Sequence, residues 1–288
     1  MITRKATLFL LTLSIALCGY SQKVLEPSGP PEWSKKTMPF KIIGNLYYVG
    51  TEELACYLVT TPEGNILINT GLASSEAMIR ANIEALRFKW ADTKILLITQ
   101  AHYDHTGAVA AIRKSTGAKL MVNEPDAKVM EDGGKSDFAF GGSESTFAPV
   151  TPDQLLHDRD TIKLGGMNLV MLHHPGHTKG SCSYLFDVKD RGKTYKVLIA
   201  NLPTIVVDRR FPDIFEYPTI EKDYAYTIDA LKNLQFDIWL SSHASQFNLL
   251  RKHKYAGSYN PAAFIDRSGY DKSLSELEAA YKKKVLGN

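Results

Sequence analysis

Cysteine is scarce in this chain, neither sign of charge is in excess, and beyond the N-terminus no long apolar run occurs. Each absence closes off a class of protein. Three cysteines in 288 residues cannot supply a disulfide framework, so a hydrophobic core must hold the fold. A formal net charge of +3 offers no electrostatic footprint for nucleic acid. That charge shrinks further if residues 1–21 are a leader, because Arg4 and Lys5 leave and 32 bases then face 31 acids. A spanning helix needs about 18 or more consecutive apolar residues, and no later stretch approaches that. What is left is a globular composition, 44% hydrophobic and 23% charged, which excludes disorder, collagen-like repeats and coiled coil.

The N-terminus reads as a secretory leader. Arg4 and Lys5 form a positive start, residues 6–17 an apolar stretch too short to span a bilayer, and Gly19 and Ser21 place small residues before a cleavage ahead of Gln22. A lipoprotein reading through Cys18 is weaker, because bulky Leu17 precedes it. The mature protein is therefore expected in the periplasm or outside the cell. Cys18 leaves with the leader. Cys56 and Cys182 remain, and could pair in an oxidising compartment. Each also lies in an apolar strand pattern, where a free buried thiol is the simpler reading.

Residues 22–39, with Pro27, Pro30, Pro31 and Pro39, read as an irregular arm. From residue 40 one domain is expected to run to the end of the chain. Strands are expected at 40–43, 46–49, 55–60 and 65–69, then a helix at 75–89 with apolar positions Ala77, Ile79, Ile83 and Leu86. A buried strand at 94–99, a small-residue helix at 106–115 and a strand at 118–122 follow. Residues 133–149, rich in glycine and serine with Phe138, Phe140 and Phe147, read as a mobile loop. The second half repeats the theme, with strands at 161–164, 167–173, 183–188 and 196–200, a helix at 220–234 and a strand at 237–240. The spacing Ser273-Leu-Ser-Glu276 matches a capping box and predicts a last helix starting there. Strands then helices, twice over, imply an α/β fold in which two halves face each other, a four-layer αβ/βα sandwich.

The chemistry is concentrated at strand ends. Ile98-Thr-Gln-Ala-His-Tyr-Asp-His-Thr-Gly107 leaves a buried strand and sets Gln100, His102, Asp104 and His105 in a few residues. Two imidazoles and a carboxylate that close supply the neutral nitrogens and anionic oxygen that a metal needs. His173-His-Pro-Gly-His-Thr-Lys-Gly-Ser181 and Ile238-Trp-Leu-Ser-Ser-His243 end two further strands with a histidine just beyond. His157 and His253 have no such setting and read as ordinary surface or core histidines, His253 in the solvated run Arg-Lys-His-Lys.

The pattern His-x-Asp-His-x-Gly, then Pro-Gly-His-Thr-x-Gly-Ser, then a late Ser-His resembles the metallo-β-lactamase superfamily over about residues 40 to 250. Within it the chain is similar to subclass B3 metallo-β-lactamases of the GOB type. That likeness rests on Gln100 where most relatives have histidine, on Ser-Ser-His-Ala-Ser-Gln-Phe around His243, and on Asp-Tyr-Ala-Tyr-Thr at 223–227. The resemblance implies one or two zinc ions per chain. Gln100, His102 and His177 would hold the first, and Asp104, His105 and His243 the second. It implies hydrolysis of small-molecule β-lactams, conferring antibiotic resistance, through a metal-bound hydroxide that Asp104 orients, with Thr204 contacting the substrate carboxylate.

Two positions depart from the superfamily pattern. Asn69 stands where aspartate is usual, and keeps an oxygen acceptor without the charge. Leu202 stands near where binuclear hydrolases place a bridging aspartate, with Asn201 beside it. Leucine cannot ligate, which counts against the competing reading of a lactonase or thioesterase-like metallo-hydrolase. An iron oxidoreductase and a non-catalytic metal-binding protein are further alternatives.

Overall fold

A computed structural model describes residues 23–253 and 259–287; the leader at residues 1–21 lies outside them. Strands β1 (Phe40–Ile43), β2 (Leu46–Tyr48), β3 (Tyr57–Thr61) and β4 (Gly64–Ile68) form an antiparallel meander. Parallel strands β5 (Thr93–Leu97), β6 (Lys119–Asn123) and β7 (Gln154–Leu156) extend it into a seven-stranded sheet. The second sheet has the order β12-β11-β10-β9-β8. It comprises β8 (Thr161–Leu164), β9 (Met167–His173), β10 (Cys182–Asp190), β11 (Lys193–Ala200) and β12 (Ile238–Ser241). Its only parallel pair is β11 and β12, which needs a crossover, and α5 (Ile220–Lys232) lies in that connection.

Period-two alternation sorts the side chains of the first sheet. Tyr57, Val59, Ile66, Ile68, Ile95 and Leu97 share one core with Leu169, Met171, Tyr184 and Phe186 of the second sheet. Their neighbours Leu58, Leu67 and Leu96 belong to a separate core with Ile79 and Ile83 of α1 (Glu76–Ala85) and Val109 and Ile112 of α3 (Val109–Thr116). The short α2 (Tyr103–Thr106) and α4 (Ala127–Asp132) lie on either side of α3 in the chain. On the far side Trp239 of β12 meets Tyr270 of α7 (Arg267–Leu286), ring centroids 5.4 Å apart, and the Tyr270 hydroxyl donates to Leu231 O of α5 at 2.8 Å. Helix, sheet, sheet, helix is the four-layer αβ/βα sandwich expected from the sequence. Burying each large apolar side chain in these cores stabilises the fold by about 1.5–3 kcal/mol.

Several boundaries move. The 133–149 segment is packed down rather than free: Phe147 joins the outer core and Phe138 packs edge-on to Tyr217. Gly133 and Gly134 take positive φ there, which lets the chain turn tightly against Phe147 and Thr146. β10 and β11 run longer than their apolar stretches, because the hairpin between them turns at Arg191 (φ 48°) and Gly192 (φ 83°), the backbone that tight hairpins require. Strand β7 is an edge strand hidden in the sequence behind Pro149 and Pro152. His253 stacks on Phe40 at 3.5 Å rather than pointing into solvent, just after α6 (Leu249–Lys252). Cys56 and Cys182 are free and buried.

The last helix starts at Arg267, not at Ser273. Asp266 is the cap: its Oδ1 accepts from Gly269 N at 2.9 Å, and Lys252 Nζ lies 2.7 Å from its Oδ2. Ser273 and Glu276 are interior, and the Ser273 hydroxyl donates instead to Gln246 O. Asp266→Ala is expected to lower the unfolding free energy of the metal-free protein by about 1 kcal/mol or more. Ser273→Ala should stay within about 0.5 kcal/mol. Urea denaturation of both variants checks this, and an equal loss in the two would contradict the capping assignment.

Candidate metal centre

The ends of β4, β5, β9, β11 and β12, and the start of β10, meet at one edge of the sandwich. A register that pairs Ile68 with Leu97, His173 with Cys182 and Ala200 with Ser241 brings these ends level. The sequence-derived residues lie just past them. Gln100, His102, Asp104, His105 and His177 are all buried, and His243 is partly buried.

Asp104, His105 and His243 form the tightest group. Their ligand atoms all lie within 4.8 Å of one another. Asp104 Oδ2 is 3.1 Å from His105 Nε2 and 3.4 Å from His243 Nε2. A tetrahedral zinc with bonds of about 2.0–2.1 Å holds its donor atoms roughly 3.3 Å apart, so the spacing fits. Burial would raise the Asp104 carboxyl, but His105 and His243 more than offset that and hold it well below the usual range. His105 is pushed down by burial, partly opposed by Asp104, and stays a neutral donor. For His243 burial acts downward, yet Asp104 and Glu53 outweigh it and raise the imidazole to about 9. A cation bound here competes with that proton.

His102 and His177 form the second pair, ring centroids 4.8 Å apart. His177 Nδ1 donates to Thr204 O at 2.7 Å, which fixes the tautomer and leaves the Nε2 lone pair free. Burial, helped by His102, pushes this imidazole down to about 3. His102 Nε2 is 3.4 Å from Asp137 Oδ2, a charge contact rather than a hydrogen bond, so Nδ1 is the nitrogen left to ligate. Burial presses His102 down, but Asp137 outweighs it and the net shift is upward. Gln100 Oε1 and His105 Nδ1 are buried with no hydrogen-bond partner. An orphaned buried polar atom costs about 1–3 kcal/mol unless something satisfies it, and a cation is a partner that the Gln100 oxygen could take.

Thr204 is exposed beside this pair, its hydroxyl 3.2 Å from His177 Nδ1. The Tyr224 hydroxyl donates to Thr204 O at 2.9 Å, and Thr227 donates to Pro175 O at 2.6 Å. The 223–227 signature thus props the two loops around His177. Aromatic walls flank the centre. Phe140 meets His102 edge-on at 4.8 Å, and Trp33 of the arm lies 5.9 Å from His243 and 6.1 Å from Tyr103. The arm is held by Leu25 N donating to Ser145 O and by Glu26 accepting from Ala73 N.

Asn69 Oδ1 accepts from Thr99 N at 2.9 Å and Thr99 Oγ1 at 3.1 Å, a scaffolding contact that needs an oxygen and no charge. Asn201 is committed to Thr99 O and Ser183 Oγ, and Leu202 is buried. Neither supplies a bridging carboxylate. His174 and Ser183, 2.7 Å apart, resemble a nucleophile and base, but both are fully buried and Ser183 accepts from Asn201 N. His157 is exposed, near Glu124 and Asp160. Sequence reasoning missed Glu53 and Asp137, each a carboxylate behind a histidine of the site. No spacing marks them, since they arrive from distant loops.

The metallo-β-lactamase superfamily model matches residues 52–190. Among solved structures, the class B3 di-zinc metallo-β-lactamase LRA-12 from an Alaskan soil metagenome is 61% identical. The match covers 91% of this chain and 100% of that one, with a TM-score of 0.90. The metallo-β-lactamase GOB-18 from Elizabethkingia meningoseptica is 52% identical over 93% of this chain and 100% of its own, TM-score 0.91. Curated relatives are more distant. The hydroxyacylglutathione hydrolase GloC of Haemophilus influenzae is 30% identical over 50% of this chain. The chain spans only 37% and 66% of the lengths of the first curated relatives it matches.

Proposed function

This chain belongs to the metallo-β-lactamase superfamily, and we propose that it hydrolyses the β-lactam ring of antibiotics with zinc bound at the strand-end centre. The observation that carries the reading is the convergence of Asp104, His105 and His243, their ligand atoms within 4.8 Å of one another, beside the unpartnered Gln100 Oε1 where the strand ends of both sheets meet. The likeness to class B3 enzymes over the full length of their solved chains points to the lactam substrate. Turnover of such antibiotics would confer resistance.

Imidazole nitrogens and a carboxylate are the donors that borderline-soft zinc takes, one or two ions per chain. Gln100, His102 and His177 would hold the first ion, and Asp104, His105 and His243 the second. Bound zinc supplies Lewis-acid stabilisation and a nucleophile drawn from water at neutral pH. The residues do the rest. Asp104, ionised at neutral pH, offers a carboxylate oxygen that can orient and take a proton from water. Thr204 presents an exposed hydroxyl that can donate to a substrate carboxylate. Phe140 and Trp33 limit water at the mouth, which strengthens charge interactions inside. A covalent route lacks its nucleophile, because burial raises both thiols, Cys182 to about 12.

The same reading takes residues 1–21 as an export leader, 22–39 as an arm and 40–288 as one domain working in the periplasm or outside the cell. Among the described residues no helix is long and apolar enough to cross a membrane. Protein recovered from the periplasm should begin at Gln22 or within a residue or two. An intact Met1 on active exported protein would contradict the leader.

A β-lactam panel and a hydroxyacyl thioester, tested with zinc content measured on the same sample, decide the activity. Lactam turnover with zinc is expected, and thioester turnover alone would favour a hydroxyacylglutathione hydrolase. His105→Ala or His243→Ala should each reduce kcat/KM more than tenfold, about 1.4 kcal/mol or more. Smaller losses would count against the ligand set. A neutral amide oxygen is a poorer zinc donor than imidazole, so Gln100→His should tighten zinc at the first site. Competition against a chelator reads this directly, and identical curves for the two proteins would sink the weak-donor account.

A further inference from the structure

Asp126 stands in the turn between β6 and α4, fully buried and taken up by no step above. Three donors face its carboxylate. Ala101 N donates to Oδ2 at 2.9 Å, Thr178 Oγ1 donates to the same oxygen at 2.7 Å, and Gly180 N donates to Oδ1 at 2.7 Å. Ala101 lies between Gln100 and His102, and Thr178 directly follows His177. Every candidate ligand of the first site is thus next to a donor that ends on this one carboxylate.

We propose that Asp126 is a positioning residue that locks the Gln100–His102 loop to the His177 loop and thereby sets the spacing of the first zinc site. This rests on the ligand assignment given above. The neighbourhood is built for the contact. A Cβ on Gly180 would come within 2.5 Å of Asp126 N and 2.7 Å of its Cβ and Cγ, so only glycine lets the loop reach the carboxylate. Asn123, at the end of β6, donates to Gly180 O at 2.9 Å and fastens the same loop from its other side.

The second site does not depend on this strut. His105 O accepts from Thr70 N and Thr70 Oγ1, Gly107 N donates to Gly71 O, and His243 is backed by Glu53. Loss of Asp126 therefore loosens one site and spares the other, whereas a residue that merely stabilises the fold would weaken both. Asparagine is a sharp probe. Its NH2 must replace one carboxylate oxygen and so oppose either Gly180 N or Ala101 N, although the Thr178 hydroxyl can turn to accept from it. Thr178→Val removes a single donor and leaves the rest, a milder change if Asp126→Asn folds poorly.

Zinc titration of the full chain against a competing chelator tests the proposal in two backgrounds. His243→Ala leaves the first site to be read, and Gln100→Ala leaves the second. In the first background Asp126→Asn should raise the zinc Kd tenfold or more, the usual cost of losing a partner behind a metal ligand. Thr178→Val should raise it by a smaller factor, and Thr178→Ser should restore the parent value. In the second background all three should stay within about twofold of the parent, well below that usual cost. Equal weakening in both backgrounds, or no weakening in the first, would overturn the positioning role. Two tightly bound zincs in the His243→Ala parent would instead overturn the ligand assignment, and the proposal with it.

Discussion

Thr99 makes hydrogen bonds to four other strand ends at once, and the metal centre depends on that junction. Its carbonyl accepts from Cys182 N at 2.8 Å and from Asn201 Nδ2 at 3.2 Å, at the start of β10 and the end of β11. Its N–H donates to Asn69 Oδ1 beyond β4, and its hydroxyl lies 2.9 Å from Ser242 Oγ beyond β12. All of these groups are buried, and an unmade bond among them would cost about 1–3 kcal/mol. The two sheets cannot slide past one another without breaking several. Gln100 is the next residue, so the loop carrying four of the six proposed ligands starts from a buried junction of four strand ends.

Past that junction the problem becomes electrostatic. A cluster of imidazoles and one carboxylate out of water is unfavourable unless each group has a partner. The structure supplies one behind most of them: Thr204 O for His177, Asp137 for His102 and Glu53 for His243. Such outer partners orient the rings and raise their basicity toward a cation. Charge is divided unevenly between the sites. On the proposed ligand sets, the first would hold an uncharged amide and two imidazoles, and the second Asp104 with two imidazoles. Cation affinity therefore favours the second on charge alone, and the first must rely on geometry.

What the sequence made legible follows from how local each signal is. Strand cores such as residues 94–97 and 167–173 announce themselves by continuous or alternating apolar side chains, and the histidines past them by their position. The layer architecture followed from that order. Residues whose role depends on a partner far along the chain left no such mark. Asp137 lies in a segment that reads as a glycine-rich loop, yet its Oδ1 caps Ala139 N and Phe140 N while Oδ2 faces His102. The start of α7 shows the converse failure. Ser273-Leu-Ser-Glu276 has the spacing of a cap, but Asp266 had already satisfied a first-turn N–H, so the motif became helix interior. A local pattern says where a cap can form, and tertiary contacts decide whether it does.

Gln100 shows how these constraints combine. An amide at a strand end would ordinarily cap a backbone group, yet Gln100 Oε1 has no hydrogen-bond partner although it is buried. Leaving it so is costly, and nothing in its own loop relieves the cost. The backbone around it, by contrast, is fixed on both sides, by Thr99 at the sheet junction and by Ala101 donating to Asp126. The loop therefore cannot relax to satisfy the side chain, and a cation at the proposed first site would supply the missing partner. A donor on a fixed backbone would lose only side-chain freedom on binding, because the backbone's share was surrendered when the chain folded. If Gln100 ligates as proposed, preorganisation of its backbone would partly offset the poor donor, a compensation that would let glutamine stand where the superfamily usually has histidine.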